Sequence, residues 1–150
     1  MPRFRFFQFA LILLCLSASA FARDTAVVVN KANGTKTIAL ADLNKMAKLT
    51  SKKWPDGKAI TFVMKDPGAA DMKTAVAKVF GITPAEAKEL IAANKQSFVI
   101  VDSDAAVITT VSATPGAVGF LDVYSITSAI NVVKIDGKMP LEPGYALHAQ

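Results

Sequence analysis

The chain has 150 residues, of which 52% are hydrophobic, and its formal net charge is +5 because 17 basic residues face 12 acidic ones. Nearly all the basic residues are lysines spread along the chain, whereas nucleic-acid-binding proteins concentrate arginine and aromatic residues on one face, so we expect no nucleic-acid partner. The sequence contains neither a P-loop nor a dinucleotide-binding glycine motif, and we expect no cofactor.

The N-terminus has the features of a secretory signal peptide. Arg3 and Arg5 form a positively charged start, an apolar run follows, and Ala20-Phe21-Ala22 supplies an A-x-A cleavage motif. The sequence therefore predicts a signal peptide over residues 1–22, cleavage after Ala22, and a periplasmic or secreted location. The residue before Cys15 is a leucine, where a lipoprotein signal would have a small residue, so we expect no lipid anchor.

The remaining chain, residues 23–150, has a suitable length for one domain and contains no cysteine. An exported domain without disulfides has to be held together by its apolar core. Removal of Arg3 and Arg5 leaves 15 basic residues against 12 acidic ones, a net charge of +3. This charge predicts a solvated basic surface with a mild bias toward anionic ligands.

Strands and helices alternate in the first half of this domain. A β-branched run predicts a strand over residues 25–31, and Asn33-Gly34 after it predicts a turn. Apolar residues at helical spacing predict an amphipathic helix over residues 40–49. A second strand is expected over residues 59–65, and a helix with its entry turn over residues 66–81.

The same alternation continues in the second half. Thr83 and Glu86 form a capping box with proline between them, which predicts a helix to about Asn94. The elements expected after it are a strand over 97–102, a helix capped by Asp102 or Ser103 and ended by Pro115, a strand over 117–121, a polar turn or short helix, a strand over 130–135 and an extended tail from Lys138. This order predicts a three-layer α/β domain.

The ordered set of landmarks resembles the phosphate-type periplasmic substrate-binding proteins of ABC transporters. The similar stretches are "VVVNKAN", "LADLNKMA", "KKWPDGKAITFVMK", a Gly-containing helix entry and "VDSDAAVITTVSATPGAVGF". They cover residues 26 to 135, and the last stretch is the most characteristic one. The resemblance implies a non-enzymatic, solute-binding-like domain with the fold of one lobe of a type II periplasmic binding protein.

Full-length members of this family have two lobes that close on the ligand, whereas residues 23–150 have room for one. Three arrangements follow: the lobe dimerises and forms a cleft between copies, it binds a ligand openly and weakly, or it serves as a protein-interaction module. The partners implied are a small phosphate-like anion, and an ABC permease or another periplasmic protein. A small hydrolase has no support in the sequence.

The resemblance places a candidate anion site at the start of the helix after residue 65. Backbone N–H groups of Gly68, Ala69 and Ala70 would point at the anion, and Lys65 stands just before them. The family has an arginine near the Lys65 position and hydroxyl residues near 68–70. Their loss weakens the expected site, and a plain helix start in which Asp66 or Asp71 favours the helix dipole is the competing interpretation.

The remaining candidates lie at two turns. Asn33 could line a cleft, although an Asn-Gly turn explains it as well. Thr114 could donate its hydroxyl to a ligand beside Gly116. In "ATPGAVGF", Pro115 is expected to end a helix, Gly116 to supply the turn beside the ligand cleft, and Gly119 to let another backbone pack closely.

Two further residues are assigned mainly structural roles. Trp54 is expected to be a packing anchor rather than a ligand platform. His148, the single histidine, has no cysteine or acidic residue next to it in the sequence. A metal site there would need ligands from elsewhere, and a Ser-His-Asp arrangement would need the tail to fold back.

Overall fold

The computed structural model describes residues 23–149, so the predicted signal peptide lies outside the described residues. Three α-helices and seven strands follow one another in this region. The strands are β1 (Thr25–Val29), β2 (Thr37–Ile38), β3 (Thr61–Met64), β4 (Phe98–Ile100), β5 (Ala117–Asp122), β6 (Asn131–Val132) and β7 (Lys134–Ile135). The α-helices are α1 (Leu40–Ala47), α2 (Pro84–Ala93) and α3 (Asp104–Ala113). Between β3 and α2 lies a helical segment made of a 3-10 turn (Ala70–Met72) and a π-helical turn (Ala75–Phe80).

Five strands form one mixed sheet in the order β4-β3-β5-β1-β6. Strand β3 is parallel to β4 and β5, and β1 is antiparallel to β5 and β6. The carboxyl ends of β3, β4 and β5 and the start of β1 therefore lie at one edge of the sheet. We call this edge the upper edge; the turn before β5 and the end of β1 form the lower edge.

Helices cover both faces of the sheet. On one face, α1, α2 and the π-helical turn pack on alternate residues of β1, β3 and β5, and on the other face α3 packs on the residues between them. The first face holds Phe62, Phe80, Phe98 and Phe120, whose neighbouring ring centroids are 5.6–6.2 Å apart. Each fully buried ring stabilises the fold by about 1.5–3 kcal/mol. The predicted three-layer α/β fold is confirmed.

The predicted local signals at the two capped helices are also present. Thr83 Oγ1 accepts the N–H of Glu86, and the Glu86 carboxylate accepts the N–H of Thr83, which completes the capping box of α2. Ser103, one of the two expected caps, accepts the N–H of Ala106 at the start of α3. None of the helices within residues 23–149 is long and apolar enough to cross a membrane.

Two segments differ from the expectation. The predicted strand over 130–135 is divided, because Val133 turns the chain from β6 in the main sheet to β7, which pairs with the unpredicted β2 in a small second sheet. The tail from Lys138 is a series of turns rather than an extended segment. It buries Tyr145 and Leu147 in the same core as α1.

Gly116 lies in the turn expected in "ATPGAVGF", whereas the role expected for Gly119 is wrong. A Cβ on Gly116 would lie 2.0 Å from the main-chain oxygen of Ala59, so Gly116 is the residue that permits close backbone approach. A Cβ on Gly119 would lie 2.8 Å and 2.9 Å from methyl groups of Val107 and Val111. Gly119 therefore makes room for the side chains of α3 and not for another backbone.

Candidate functional site

Lys65 follows β3 directly and brings its ammonium group to the upper edge of the sheet. The residue is 9% exposed. Its Nζ contacts the carboxylate of Asp71 and lies 2.6 Å from Oδ1 of Asp104. A buried ammonium group requires such partners, since an unpaired charge away from water would cost several kcal/mol.

The two carboxylates are held differently. Asp104 begins α3 with 17% of its side chain exposed, and its Oδ2 accepts the Ser125 hydroxyl at 2.7 Å and the Asp122 N–H at 3.3 Å. Asp71 lies in the 3-10 turn with half of its side chain exposed. Asp104 is therefore anchored by three neighbours, whereas Asp71 faces solvent beside Lys65.

The contacts change the protonation equilibria of this cluster. Burial acts to lower the pKa of Lys65, but the hydrogen bonds and charges of Asp104 and Asp71 outweigh it, and the pKa is raised. Burial likewise acts to raise the pKa of Asp104, but hydrogen bonds from Lys65 and Ser125 hold the pKa below its ordinary value. Both residues are charged at neutral pH, and the positive charge of Lys65 is shared by two carboxylates.

The N–H groups predicted to bind an anion are largely occupied. Gly68 donates its N–H to Oδ1 of Asp66 at 2.7 Å, and Ala69 donates to the main-chain oxygen of Asp66 at 2.9 Å. Ala70 is exposed and starts the 3-10 turn. The Asp66 carboxylate adds negative charge beside this turn, with Lys88 Nζ 3.6 Å away.

The structure does not bring all the predicted site residues together. Lys65, Gly68, Ala69 and Ala70 lie at the upper edge, whereas Asn33, Thr114 and Gly116 lie at the lower edge, where β1 ends and β5 begins. Thr61, whose N–H bonds to Gly116, is four residues before Lys65, or about 13 Å along the strand at about 3.3 Å per residue. One small anion cannot contact both groups.

The turn before β5 has a structural role. The main-chain oxygen of Gly116 accepts the Trp54 indole N–H at 2.9 Å and the Thr61 N–H at 3.1 Å. Trp54 is buried, in agreement with its interpretation as a packing anchor. This turn lies at the edge opposite Lys65, because β5 begins at the turn and runs parallel to β3 toward the upper edge.

Comparison with solved structures places this arrangement in a known fold. An ABC-type phosphate transport receptor from Vibrio cholerae matches 85% of this chain with a TM-score of 0.70 and 17% identity. PstS from Borrelia burgdorferi matches 85% of this chain with a TM-score of 0.69 and 18% identity. A phosphate-binding protein from Stenotrophomonas maltophilia matches 79% of this chain with a TM-score of 0.65 and 16% identity. The chain has the fold of one lobe of a PstS-like phosphate-binding protein.

The PstS-like lobe accounts for part of the length of these proteins. The chain covers 54% of the Vibrio receptor, 55% of the Borrelia protein and 40% of the Stenotrophomonas protein. No protein-family model and no curated protein matches the sequence. The likeness therefore establishes the fold.

Asp104 and Ser125 are the residues of the lobe's upper edge that the sequence-based site omitted. Asp104 lies in the first turn of α3, directly after the Ser103 cap. Its contact with Lys65 joins residues 39 positions apart, and the spacing of charged residues carries no signal for it. Only the parallel pairing of β3 with β5 and the packing of α3 bring the two groups together.

The C-terminal tail of the PstS-like lobe folds back onto the start of β1. This is the condition that a Ser-His-Asp arrangement with His148 would require. His148 Nδ1 lies 2.5 Å from Oδ1 of Asp24, and Asp24 is 3% exposed. Within residues 23–149, no hydroxyl group forms a hydrogen bond with this imidazole, and no group of three potential metal ligands occurs. The pair joins the tail to the start of β1.

Proposed function

We propose that the chain is an exported PstS-like lobe that binds a small oxyanion of the phosphate class at Lys65. The observation that supports the proposal is the half-exposed Asp71 carboxylate on the buried ammonium group of Lys65. A carboxylate oxygen in this position is chemically equivalent to an oxygen of a bound oxyanion. Asp71 acts as an internal substitute for the ligand, and the ligand displaces it.

The different anchoring of the two carboxylates decides which one exchanges. Asp104 keeps its hydrogen bonds to Ser125 and Asp122 and continues to compensate Lys65 when an anion binds. Asp71 has to turn only a half-exposed side chain into solvent. Because Asp66, Asp71 and Asp104 all repel an incoming anion, the wild-type chain binds phosphate weakly.

The fold sets the physiological context of the proposal. The neighbours in solved structures include an ABC-type phosphate transport receptor, so an ABC permease is the partner class that this function implies. The predicted signal peptide and the fold together support a periplasmic location. The lobe itself performs no chemistry on the anion.

Calorimetric titration with phosphate tests the proposal on three variants. Asp71→Asn removes the competing charge, and we expect the dissociation constant for phosphate to fall at least about tenfold, because like charges in contact cost several kcal/mol. Lys65→Gln in the Asp71→Asn background abolishes this gain. Asp42→Asn, an exposed aspartate on α1, is the matched control and leaves binding unchanged.

The decisive result is the behaviour of the Asp71→Asn variant. If this variant remains folded, as judged by its thermal unfolding, and takes up neither phosphate nor sulfate, the oxyanion function is wrong. Binding that persists in Asp71→Asn/Lys65→Gln would place the anion elsewhere on the lobe and would contradict the assignment to Lys65.

A second candidate, contact with another copy of the lobe, is favoured by an exposed tyrosine at the same edge. Tyr124 is 70% exposed, and the guanidinium carbon of Arg23 lies 5.7 Å from its ring centroid, with Arg23 also paired to Asp122 at 3.1 Å. Tyrosine and arginine are the residue types that carry most of the binding energy of protein interfaces. Two lobes meeting here would enclose an anion between them.

Light scattering over a concentration series separates this candidate from a monomeric lobe. A dimer mass that is lost in Tyr124→Ala and retained in Tyr124→Phe supports contact through the ring. A monomer mass at all concentrations, with and without phosphate, contradicts the homodimer.

A further inference from the structure

The lower edge of the sheet carries a groove that the function at Lys65 does not use. It has a volume of about 550 Å³ and is lined by the loop between β1 and β2, by β6 with the residue before it, by Lys134 of β7 and by Met139 of the tail. Its polar side chains are Lys31, Asn33, Thr35, Lys36, Asn131 and Lys134. The lining includes three lysines and no acidic residue. We call it the lysine groove.

The three lysines reach the groove from separate, fixed backbone segments. Lys31 follows β1, whose Val29 pairs with Asn131 of β6. Lys36 and Lys134 are joined by the bond from the Lys134 N–H to the main-chain oxygen of Lys36, 2.9 Å long. Sheet pairing therefore holds the backbone positions of the three lysines around one concavity.

These cations differ from Lys65 in having no internal partner. None of the ammonium groups of Lys31, Lys36 and Lys134 lies within ion-pairing distance of a carboxylate of residues 23–149. Three like charges around one groove repel each other, and this repulsion is relieved when an anion enters. At the upper edge the ammonium group of Lys65 is paired with carboxylates, whereas at the lower edge three ammonium groups have no carboxylate partner among residues 23–149.

Asn33 adds a hydrogen-bond donor to the groove. The residue is 8% exposed, and its Oδ1 accepts the Thr35 N–H at 3.0 Å, which fixes the orientation of the amide. Its Nδ2 donates to no acceptor within residues 23–149 and is not sealed from solvent, so it opens to the groove. A donor without a partner among positive charges is suited to an anionic oxygen.

We propose that the lysine groove is a second anion-binding site, which takes a ligand bearing two or more clustered phosphate groups. Three lysines on separate segments gain most from a ligand that offers a phosphate group to more than one of them, because the second contact is intramolecular once the first has formed. A lysine ammonium group acts as a point charge and, unlike the planar guanidinium group of arginine, imposes no planar geometry on its partner. It can therefore contact phosphate groups in varied orientations. The proposal does not depend on the function at Lys65.

The test uses inorganic tripolyphosphate as the probe and compares two triple variants with equal change in charge. Lys31→Gln/Lys36→Gln/Lys134→Gln removes the groove cations, and we expect the dissociation constant to rise about tenfold or more. The control replaces three exposed lysines outside the groove: Lys52→Gln, Lys73→Gln and Lys95→Gln. The control changes the dissociation constant less than about twofold.

A single substitution examines the donor role of Asn33. Asn33→Asp keeps the oxygen that accepts the Thr35 N–H and replaces the Nδ2 donor by a negatively charged oxygen. The turn is therefore retained, and we expect the dissociation constant for tripolyphosphate to rise, but by less than in the groove variant, because the three lysines stay in place. Asn33 lies at the lower edge, so the substitution leaves Lys65 and its two carboxylates intact and keeps the result separate from the oxyanion function at the upper edge.

A second arm distinguishes a free phosphate compound from a lipid headgroup. Vesicles of equimolar phosphatidylglycerol and phosphatidylcholine are compared with vesicles of phosphatidylcholine alone. Binding of tripolyphosphate that is lost in the groove variant supports a free ligand, and binding confined to the anionic vesicles with the same loss supports a headgroup. The absence of both, or an equal loss in the two triple variants, overturns the proposal.

Discussion

Tyr145 donates its hydroxyl hydrogen to the main-chain oxygen of Thr25 at 2.8 Å, and so joins the C-terminal tail to the first strand. The Thr25 N–H in turn donates to the main-chain oxygen of Leu147 at 3.0 Å, and Asp24 accepts the Leu141 N–H at 2.6 Å. Burial raises the pKa of the Tyr145 phenol, with a smaller contribution from Asp24, so the hydroxyl stays protonated as a donor. The tail is thus part of the folded core.

Removing this hydroxyl should destabilise the lobe. Tyr145→Phe keeps the buried ring and loses the hydrogen bond, and we expect the free energy of unfolding to fall by about 1–2 kcal/mol. Denaturant unfolding measures the change. Tyr124→Phe is the matched control, since Tyr124 is 70% exposed, and should change the stability by less than about 0.5 kcal/mol. Equal effects of the two substitutions would contradict the docked tail.

The two glycines of "ATPGAVGF" should respond differently to an added methyl group. Gly116→Ala forces the new Cβ against main-chain atoms of Ala59, which cannot move without distorting the backbone. We expect the free energy of unfolding to fall by about 3 kcal/mol or more. Gly119→Ala meets side-chain methyl groups of α3 and should cost about 1–3 kcal/mol.

A second substitution and a control refine this prediction. Val107→Ala removes one of the methyl groups that the new Cβ of Gly119→Ala would meet, so the double variant should recover part of the stability relative to the sum of the single losses. Gly34→Ala, with no atom within 4 Å of the added Cβ, should stay within about 0.5 kcal/mol of wild type. An equally large loss in Gly34→Ala would show that backbone freedom, rather than space, governs these positions.

The pair of Asp104 with Lys65 should give the stability a specific pH dependence. The folded-state pKa of Asp104 is lowered, so its contribution is present above about pH 4 and is lost as the pH falls through the folded-state value. The folded-state pKa of Lys65 is raised, so its contribution is present below about pH 10.4 and is lost as the pH rises through the folded-state value.

Thermal unfolding of Asp104→Asn against wild type measures the acidic limb. We expect the variant to be less stable by about 1–3 kcal/mol at neutral pH and the difference to narrow as the pH falls from about 5 to about 2. Asp42→Asn, whose carboxylate is exposed 3.5 Å from Lys45, serves as control and should follow the wild-type curve. A difference that stays constant with pH would mean that Asp104 stabilises by packing rather than by charge.

The capping box of α2 should contribute a local share of the stability. Thr83→Ala removes the acceptor for the Glu86 N–H, and we expect the free energy of unfolding, measured by denaturant unfolding, to fall by about 1 kcal/mol. Thr83→Ser keeps the hydroxyl and should retain most of the stability. A loss in Thr83→Ser as large as that in Thr83→Ala would show that the methyl group, not the hydroxyl, carries the effect.

The elements predicted from sequence are those whose determinants are local. The capping box of Thr83 and Glu86, the Ser103 cap and the β-branched run before Asn30 each act within a few residues, and all three are present in the structure. Strand β2 was missed because it has two residues and exists only through its pairing with β7. The tail was misjudged because its proline-rich composition does not reveal the buried positions of Tyr145 and Leu147.

The candidate site shows the limit of the same reasoning. Lys65 was predicted correctly as a residue at the end of a strand, since a basic residue after an apolar run can be read from neighbours in the chain. The ion pair of Lys65 with Asp104 could not be predicted from the sequence, because the two residues are 39 positions apart and meet only through the packing of α3 on the sheet. The separation of Gly116 from Lys65 could not be predicted either, because strand direction decides which end of the sheet a turn occupies.

Residue order and type were sufficient for the α/β class, the helix caps and the strand cores of this PstS-like lobe, because hydrophobic periodicity and capping act over one or two turns of chain. Which charged side chains contact one another was determined by the tertiary structure. Parallel pairing of β3 with β5 and antiparallel pairing of β1 with β5 sort the polar residues into an upper edge where Lys65 is compensated and a lower edge where Lys31, Lys36 and Lys134 are not. Electrostatic interactions depend on distance in space, and strand pairing sets that distance independently of separation along the chain.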